Sequence, residues 1–161
     1  MKIVIEGCDG TGKTSVAKIL AEKYGCDIVH MTGNDPRDYQ FYYQSLRKEQ
    51  VVYDRNVLGE FVYPYVFGRQ KEVRYGKLNR LMYFCRNNGV YFFVLTANRE
   101  TCKLRLIEKD EDIRIIRNID YILAKFRALA FEYDIPEIDT TLSTAEETAK
   151  EIMNIIERKG E

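Results

Sequence analysis

Eight residues, GCDGTGKT from Gly7 to Thr14, constrain this chain more than any other stretch. They follow the hydrophobic run KIVIE (Lys2 to Glu6) and precede the helical pattern SVAKILAEKY, so the spacing predicts a strand, a tight loop and a helix. The loop reads G-x-x-x-x-G-K-T, with Gly7, Gly12, Lys13 and Thr14 in the required places. Gly7, Gly10 and Gly12 let the backbone turn its N–H groups inward with no Cβ in the way. The result is a nest for phosphate oxygens at the positive end of the following helix. Lys13 reaches the β and γ phosphates in such a loop, and the Thr14 hydroxyl ligates Mg²⁺. A plain strand-to-helix turn needs neither this lysine nor this many glycines. The loop also sits at the carboxyl end of its strand, where α/β sheets bind ligands.

Further strand-like runs follow at Cys26 to His30, Val51 to Tyr53, Val90 to Thr96 and Tyr133 to Asp139. Helical patterns lie between them: Thr14 to Tyr24, about Asp38 to Lys48, two after Asp54 reaching Arg86, Arg99 to Glu108, Ile113 to Phe131 and Thr144 to Glu157. Ser143 with Glu146 has capping-box spacing for the last of these. Alternation of strands and helices implies right-handed crossovers, and so an α/β, three-layer P-loop NTPase fold: a five-stranded parallel sheet with helices on both faces. With 161 residues, 45% of them hydrophobic, and no linker or repeat, the expectation is one domain over 1–161.

Composition excludes several classes. Twenty-five basic and 25 acidic residues balance to zero formal charge, which argues against a duplex-binding protein that relies on phosphate attraction. No apolar run approaches the roughly 18 residues of a membrane span, and the chain enters its first strand with no signal-peptide pattern, so a soluble cytoplasmic protein is expected. Cys8, Cys26, Cys85 and Cys102 show no C-x-x-C spacing and His30 is the only histidine, which argues against zinc. Cys8 lies inside the phosphate nest near a helix amino terminus. Either that setting lowers its thiol pKa and makes it reactive, or Cys8 is a small filler.

A second motif closes the third strand, VVYDR, with Asp54 and Arg55 at the same sheet edge as the loop. Asp54 there can hold Mg²⁺ through water or take a proton from an attacking group, and Arg55 can clamp a phosphate bidentately. The plainer reading is a solvated Asp-Arg pair after a strand.

EGCDGTGKT together with VVYDR resembles thymidylate kinases and the related nucleoside and nucleotide monophosphate kinases. Their signature is an E-G-x-D-G-x-G-K-[ST] loop and a later strand ending in Asp-Arg, with a tyrosine nine residues after the Asp; here that tyrosine is Tyr63. VLTANRETCKLRLIEKDEDI is similar to the family's strand, helix and basic lid, with Arg105 in the lid-arginine position and the lid at about 105–118. IPEIDTTLSTAEETAKEI is similar to the last strand and helix. The resemblance implies that Gly7, Asp9, Gly10, Thr11, Gly12, Lys13, Thr14 and Ser15 hold ATP and that Thr14 and Asp54 hold Mg²⁺. It further implies that Lys13, Asp54, Arg55, Arg105 and Asp9 serve catalysis, and it suggests a homodimer.

The departures bear on the acceptor. HMTGNDPRDY (His30 to Tyr39) stands where the family carries Arg-Glu-Pro-Gly, and the Phe-Ala-x-Arg base-stacking element has no clear match. Phe41, Tyr42 and Tyr43 either replace the stacking ring or belong to the core. Pro64 stands where the family has a glutamine that contributes to the acceptor site, so looser discrimination among pyrimidines is expected, unless Gln44 or Gln70 fills the role. The resulting expectation is ATP-dependent transfer to a pyrimidine deoxynucleoside monophosphate, foremost thymidylate or a 5-substituted relative. The alternatives are a deoxynucleoside or modified-base kinase and a nucleotide-binding switch, the last disfavoured by the lack of an N-K-x-D guanine reader.

Overall fold

The computed structural model describes residues 1–160. Five parallel strands form one sheet: β1 (Lys2–Gly7), β2 (Asp27–His30), β3 (Val51–Asp54), β4 (Val90–Thr96) and β5 (Glu137–Asp139), in the order β2-β3-β1-β4-β5. β1 lies in register between its neighbours, Ile3 facing Val52 on β3 and Tyr91 on β4.

Because successive strand residues point to opposite faces, β1 feeds two cores. Ile3 and Ile5 pack with Phe93, Leu95 and Ile138 against α1 (Lys13–Tyr24) and α8 (Ala145–Gly160). Val4, Tyr53, Phe92 and Val94 face the other way. That second core is closed by α2 (Tyr39–Ser45), α3 (Tyr63–Phe67), α4 (Tyr75–Asn87), α5 (Arg99–Glu108), α6 (Ile113–Arg117) and α7 (Ile119–Glu132). The three layers and the parallel sheet are those expected of a P-loop NTPase.

Four local expectations need correction. The strand expected over Tyr133 to Asp139 shrinks to Glu137–Asp139, because Tyr133 caps α7, Asp134 has a positive φ of 50° and Pro136 has no N–H to give a ladder. The helix expected over Ile113 to Phe131 breaks at Asn118, whose N–H turns back to the carbonyls of Arg114 and Ile115. Three helical pieces rather than two follow Asp54, the first a 3₁₀ turn over Val57–Phe61. The capping box of α8 sits one residue later than read: the Glu147 N–H donates to Thr144 Oγ1 (3.1 Å) and the Thr144 N–H donates to Glu147 Oε2 (2.8 Å). Among the described residues no helix is long and apolar enough to cross a membrane.

Candidate active site

The carboxyl ends of β1, β3 and β4 converge on the loop. Gly7 is obligatory there: its φ is +132°, and a Cβ would stand 2.1 Å from the Leu95 carbonyl oxygen of β4. The first turn bond of α1 runs from the Val16 N–H to the Gly12 carbonyl, and the N–H groups of Gly10 to Ser15 donate to no carbonyl among the described residues. They are the free donors of an anion nest at the helix start. Thr11 Oγ1 and Lys13 Nζ both donate to the Cys8 carbonyl, at 2.7 and 2.6 Å, so the buried lysine is tethered across the loop it serves.

Asp54 ends β3 beneath Thr14. Its Oδ2 accepts from the Thr14 hydroxyl at 2.5 Å and lies 2.8 Å from His30 Nδ1 at the end of β2. Its Oδ1 is sealed from solvent and has no partner. A buried carboxylate with one orphaned oxygen, next to a threonine hydroxyl and beside a phosphate nest, fits a hard divalent cation such as Mg²⁺, which takes few protein ligands and completes its shell with water and phosphate oxygens.

Arg55 follows with φ 75°, a strained conformation for a residue with a side chain. Neighbouring bonds hold it in place. Its N–H donates to the Ile5 carbonyl (2.9 Å), while Glu6 Oε1 accepts from the N–H groups of Asn56 (3.0 Å) and Leu58 (2.7 Å). The turn aims the Arg55 guanidinium at Asp9 Oδ1; Tyr63 OH donates to Asp9 Oδ2 (2.7 Å) and Lys13 Nζ lies 3.9 Å from Asp9. Burial opposes ionisation of Asp9, but Lys13, Arg55 and the Tyr63 hydroxyl outweigh it and hold the carboxyl below its ordinary range. Burial dominates at Glu6 and raises its pKa to about 7 against the pull of the two N–H donors, Lys13 and Arg55.

Glu6, Asp9, Arg55, Asn56 and Tyr63 line a cleft of about 310 Å³. Tyr42, Arg37, Glu60 and Arg69 line the same cleft. Glu60 is 4% exposed and is gripped by both terminal nitrogens of Arg69, Nη1 to Oε2 at 3.0 Å and Nη2 to Oε1 at 2.7 Å, with Arg37 Nε 3.7 Å from Oε1. Sequence reading missed this cluster. One signal was available: Glu60 is a lone carboxylate inside the apolar run VLGEFVYPYVF, a position tolerated only with a partner. Arg37 lies in the segment that replaces the resembled family's Arg-Glu-Pro-Gly.

Of the candidate stacking rings only Tyr42 lines the cleft; Tyr43 packs edge-on against Phe84 at 5.1 Å and Phe41 edge-on against Tyr42 at 5.5 Å. Pro64 is buried at the start of α3, and neither it nor Gln44 nor Gln70 lines the cleft. In the lid, Arg105 donates to the Gly10 carbonyl (3.2 Å) and to the Thr140 carbonyl (3.0 Å), pinning α5 to the loop. Arg114 is paired with Asp112 (2.6 Å), and Lys109 and Arg117 are exposed. Cys8 is fully buried; the Cys102 thiol beside it and burial push its own thiol up, so the filler reading holds and the reactive one does not.

No family model matches the chain. Two curated archaeal proteins, each named "Putative adenylate kinase", match it almost end to end. The Thermococcus kodakarensis protein is 31% identical over 98% of this chain and 86% of its own length. The Pyrococcus furiosus protein is 32% identical over 97% and 84%. Among solved structures, the YorR protein of Bacillus subtilis in complex with phosphorylated GDP superposes with a TM-score of 0.84 at 19% identity over 99% of this chain and 98% of its own. The thymidylate kinase of Candida albicans gives 0.67 at 15% over 98% and 91%. Thymidylate kinase in particular is not what these relatives single out; the chain belongs to the family of the archaeal proteins, within the P-loop nucleotide kinases.

Proposed function

We propose that the protein transfers the γ-phosphoryl group of ATP to the phosphate of a nucleoside monophosphate. The observation that carries the reading is Asp9, a residue of the phosphate loop 3.9 Å from Lys13, which lines the cleft together with its partners Arg55 and Tyr63 and so joins the loop to it. The N–H groups of Gly10 to Ser15 bind the donor phosphates, and Lys13 adds a fixed positive charge where negative charge shifts during transfer. Thr14 and Asp54 hold Mg²⁺, which when bound neutralises charge on the phosphate oxygens. Arg55, kept in place by Asp9 and by its strained turn, orients the acceptor phosphate; Arg105 fixes α5 over the loop. Little covalent chemistry is asked of the chain, because a loose transition state needs positioning and electrostatics.

The Asp-Arg motif and Tyr63 favour a pyrimidine deoxynucleotide such as thymidylate as acceptor. The names of the archaeal relatives favour adenylate, and the neighbour crystallised with phosphorylated GDP adds a guanine nucleotide to the range. The test mixes protein, Mg·ATP and a panel of nucleosides and nucleoside monophosphates and follows ADP. Release that depends on a monophosphate is expected. Slow release independent of every acceptor refutes the reading, and release with nucleosides alone reassigns the acceptor.

A further inference from the structure

His30 is the only histidine of the chain, and the phosphate chemistry above leaves it unused. β2 and β3 run parallel with His30 in register with Asp54, so the last residue of one strand lies beside the last residue of the next at the carboxyl edge of the sheet. Core packing does not account for the imidazole: β2 is exposed at Asp27, Ile28 and His30 and half-buried at Val29, and the His30 side chain is 47% exposed. Its one hydrogen-bond partner among the described residues is Asp54.

Two groups thus converge on a single carboxylate oxygen. Thr14 Oγ1 lies 2.5 Å and His30 Nδ1 2.8 Å from Asp54 Oδ2, while Oδ1 has no partner. Adjacent ligand atoms on an octahedral ion bound at about 2.1 Å are roughly 3 Å apart, so each pair is within about half an ångström of that spacing. No group of three or more histidine, cysteine and carboxylate side chains gathers among the described residues. There is therefore no all-protein cage, and an ion here shares its shell with phosphate oxygens and water. A nitrogen donor changes which ion such a site holds best. Mg²⁺ is hard and is bound through oxygen, whereas imidazole suits first-row transition ions.

We propose that His30 is a direct ligand of the cation, through Nδ1, alongside Thr14 and Asp54, and that it tunes the site toward Mn²⁺ or Co²⁺ over Mg²⁺. The inference rests on the reading of Thr14 and Asp54 as the metal pair of a nucleotide-binding loop. The other role open to His30 is to donate its Nδ1–H to Asp54 and orient the carboxylate without touching the ion. His30→Asn separates the two. Its amide can still donate to Asp54, but the amide nitrogen has no lone pair for a metal and the amide oxygen is only another hard ligand.

The experiment uses the whole protein with ADP, labelled with ¹⁵N at histidine, so that the single label reports on His30 alone. Pulsed electron–nuclear double resonance on the Mn²⁺·ADP complex is expected to show a strong ¹⁵N contact coupling, which passes only through a metal–nitrogen bond. Calorimetric titration of the ADP-bound protein with Co²⁺ and with Mg²⁺ is expected to show the Co²⁺:Mg²⁺ affinity ratio falling at least about 10-fold in His30→Asn, with Mg²⁺ affinity little changed. Mn²⁺·ADP that binds without the ¹⁵N coupling, or a ratio that does not move in the variant, overturns the inference and leaves His30 an orienting group for Asp54. Failure of Mn²⁺·ADP to bind at all removes the nucleotide-loop reading, and the inference with it.

Discussion

Glu6→Gln separates the charge of a buried carboxylate from its hydrogen bonds. In the native protein Glu6 Oε1 accepts from two backbone N–H groups that shape the Arg55 turn, and glutamine keeps an oxygen for both. What it removes is a titration. Burial raises the Glu6 pKa from an ordinary 4.5 to about 7. At 1.36 kcal/mol per pKa unit, ionised Glu6 destabilises the fold by about 3 kcal/mol. The sign follows from linkage: the folded chain holds this proton more tightly than the unfolded chain. The stabilisation is therefore fully present below pH 4.5 and is lost as the pH rises through 7. Other groups titrate equally in both proteins and cancel in the difference. The unfolding free energy of Glu6→Gln minus wild type, from urea denaturation followed by circular dichroism, should therefore climb by about 2.5 kcal/mol between pH 5 and pH 8. A constant offset from imperfect amide placement leaves that slope intact. A difference that does not change with pH would refute the reasoning.

Lys13→Ala should lower turnover at least about 100-fold with the circular dichroism unchanged, since it removes a charge aimed at the transferring group; near wild-type turnover would remove the loop from the chemistry. Asp54→Asn should depress kcat more than it weakens ATP binding, because an amide cannot hold Mg²⁺ by charge, and Arg55→Ala should chiefly raise the acceptor KM. Unaltered kinetics in both would reduce the pair to a structural feature. Gly7→Ala should cost more than about 3 kcal/mol of stability, as its methyl meets the Leu95 carbonyl at 2.1 Å in a backbone region closed to alanine. A urea midpoint close to wild type would show that the strand pair can part.

The layers and the phosphate loop were legible in the sequence because each is a local property. Alternating hydrophobic runs report strand and helix through side-chain periodicity, and G-x-x-x-x-G-K-T reports its backbone through the residues that such a backbone requires. The Asp54-Arg55 dipeptide belongs to the same class, since its position at a strand end is local too. Its partners were not. That Asp54 receives the Thr14 hydroxyl, that Asp9 joins Arg55 to Tyr63, and that Cys8 is silenced by Cys102 depend on which strands lie side by side, a choice made by packing between residues 40 or more apart in the chain. The Glu60 cluster shows the limit most clearly. Glu60, Arg69 and Arg37 are ordinary residues on three separate segments with no spacing rule between them. Only burial, which makes a lone carboxylate untenable and draws two guanidinium groups onto it, brings them together.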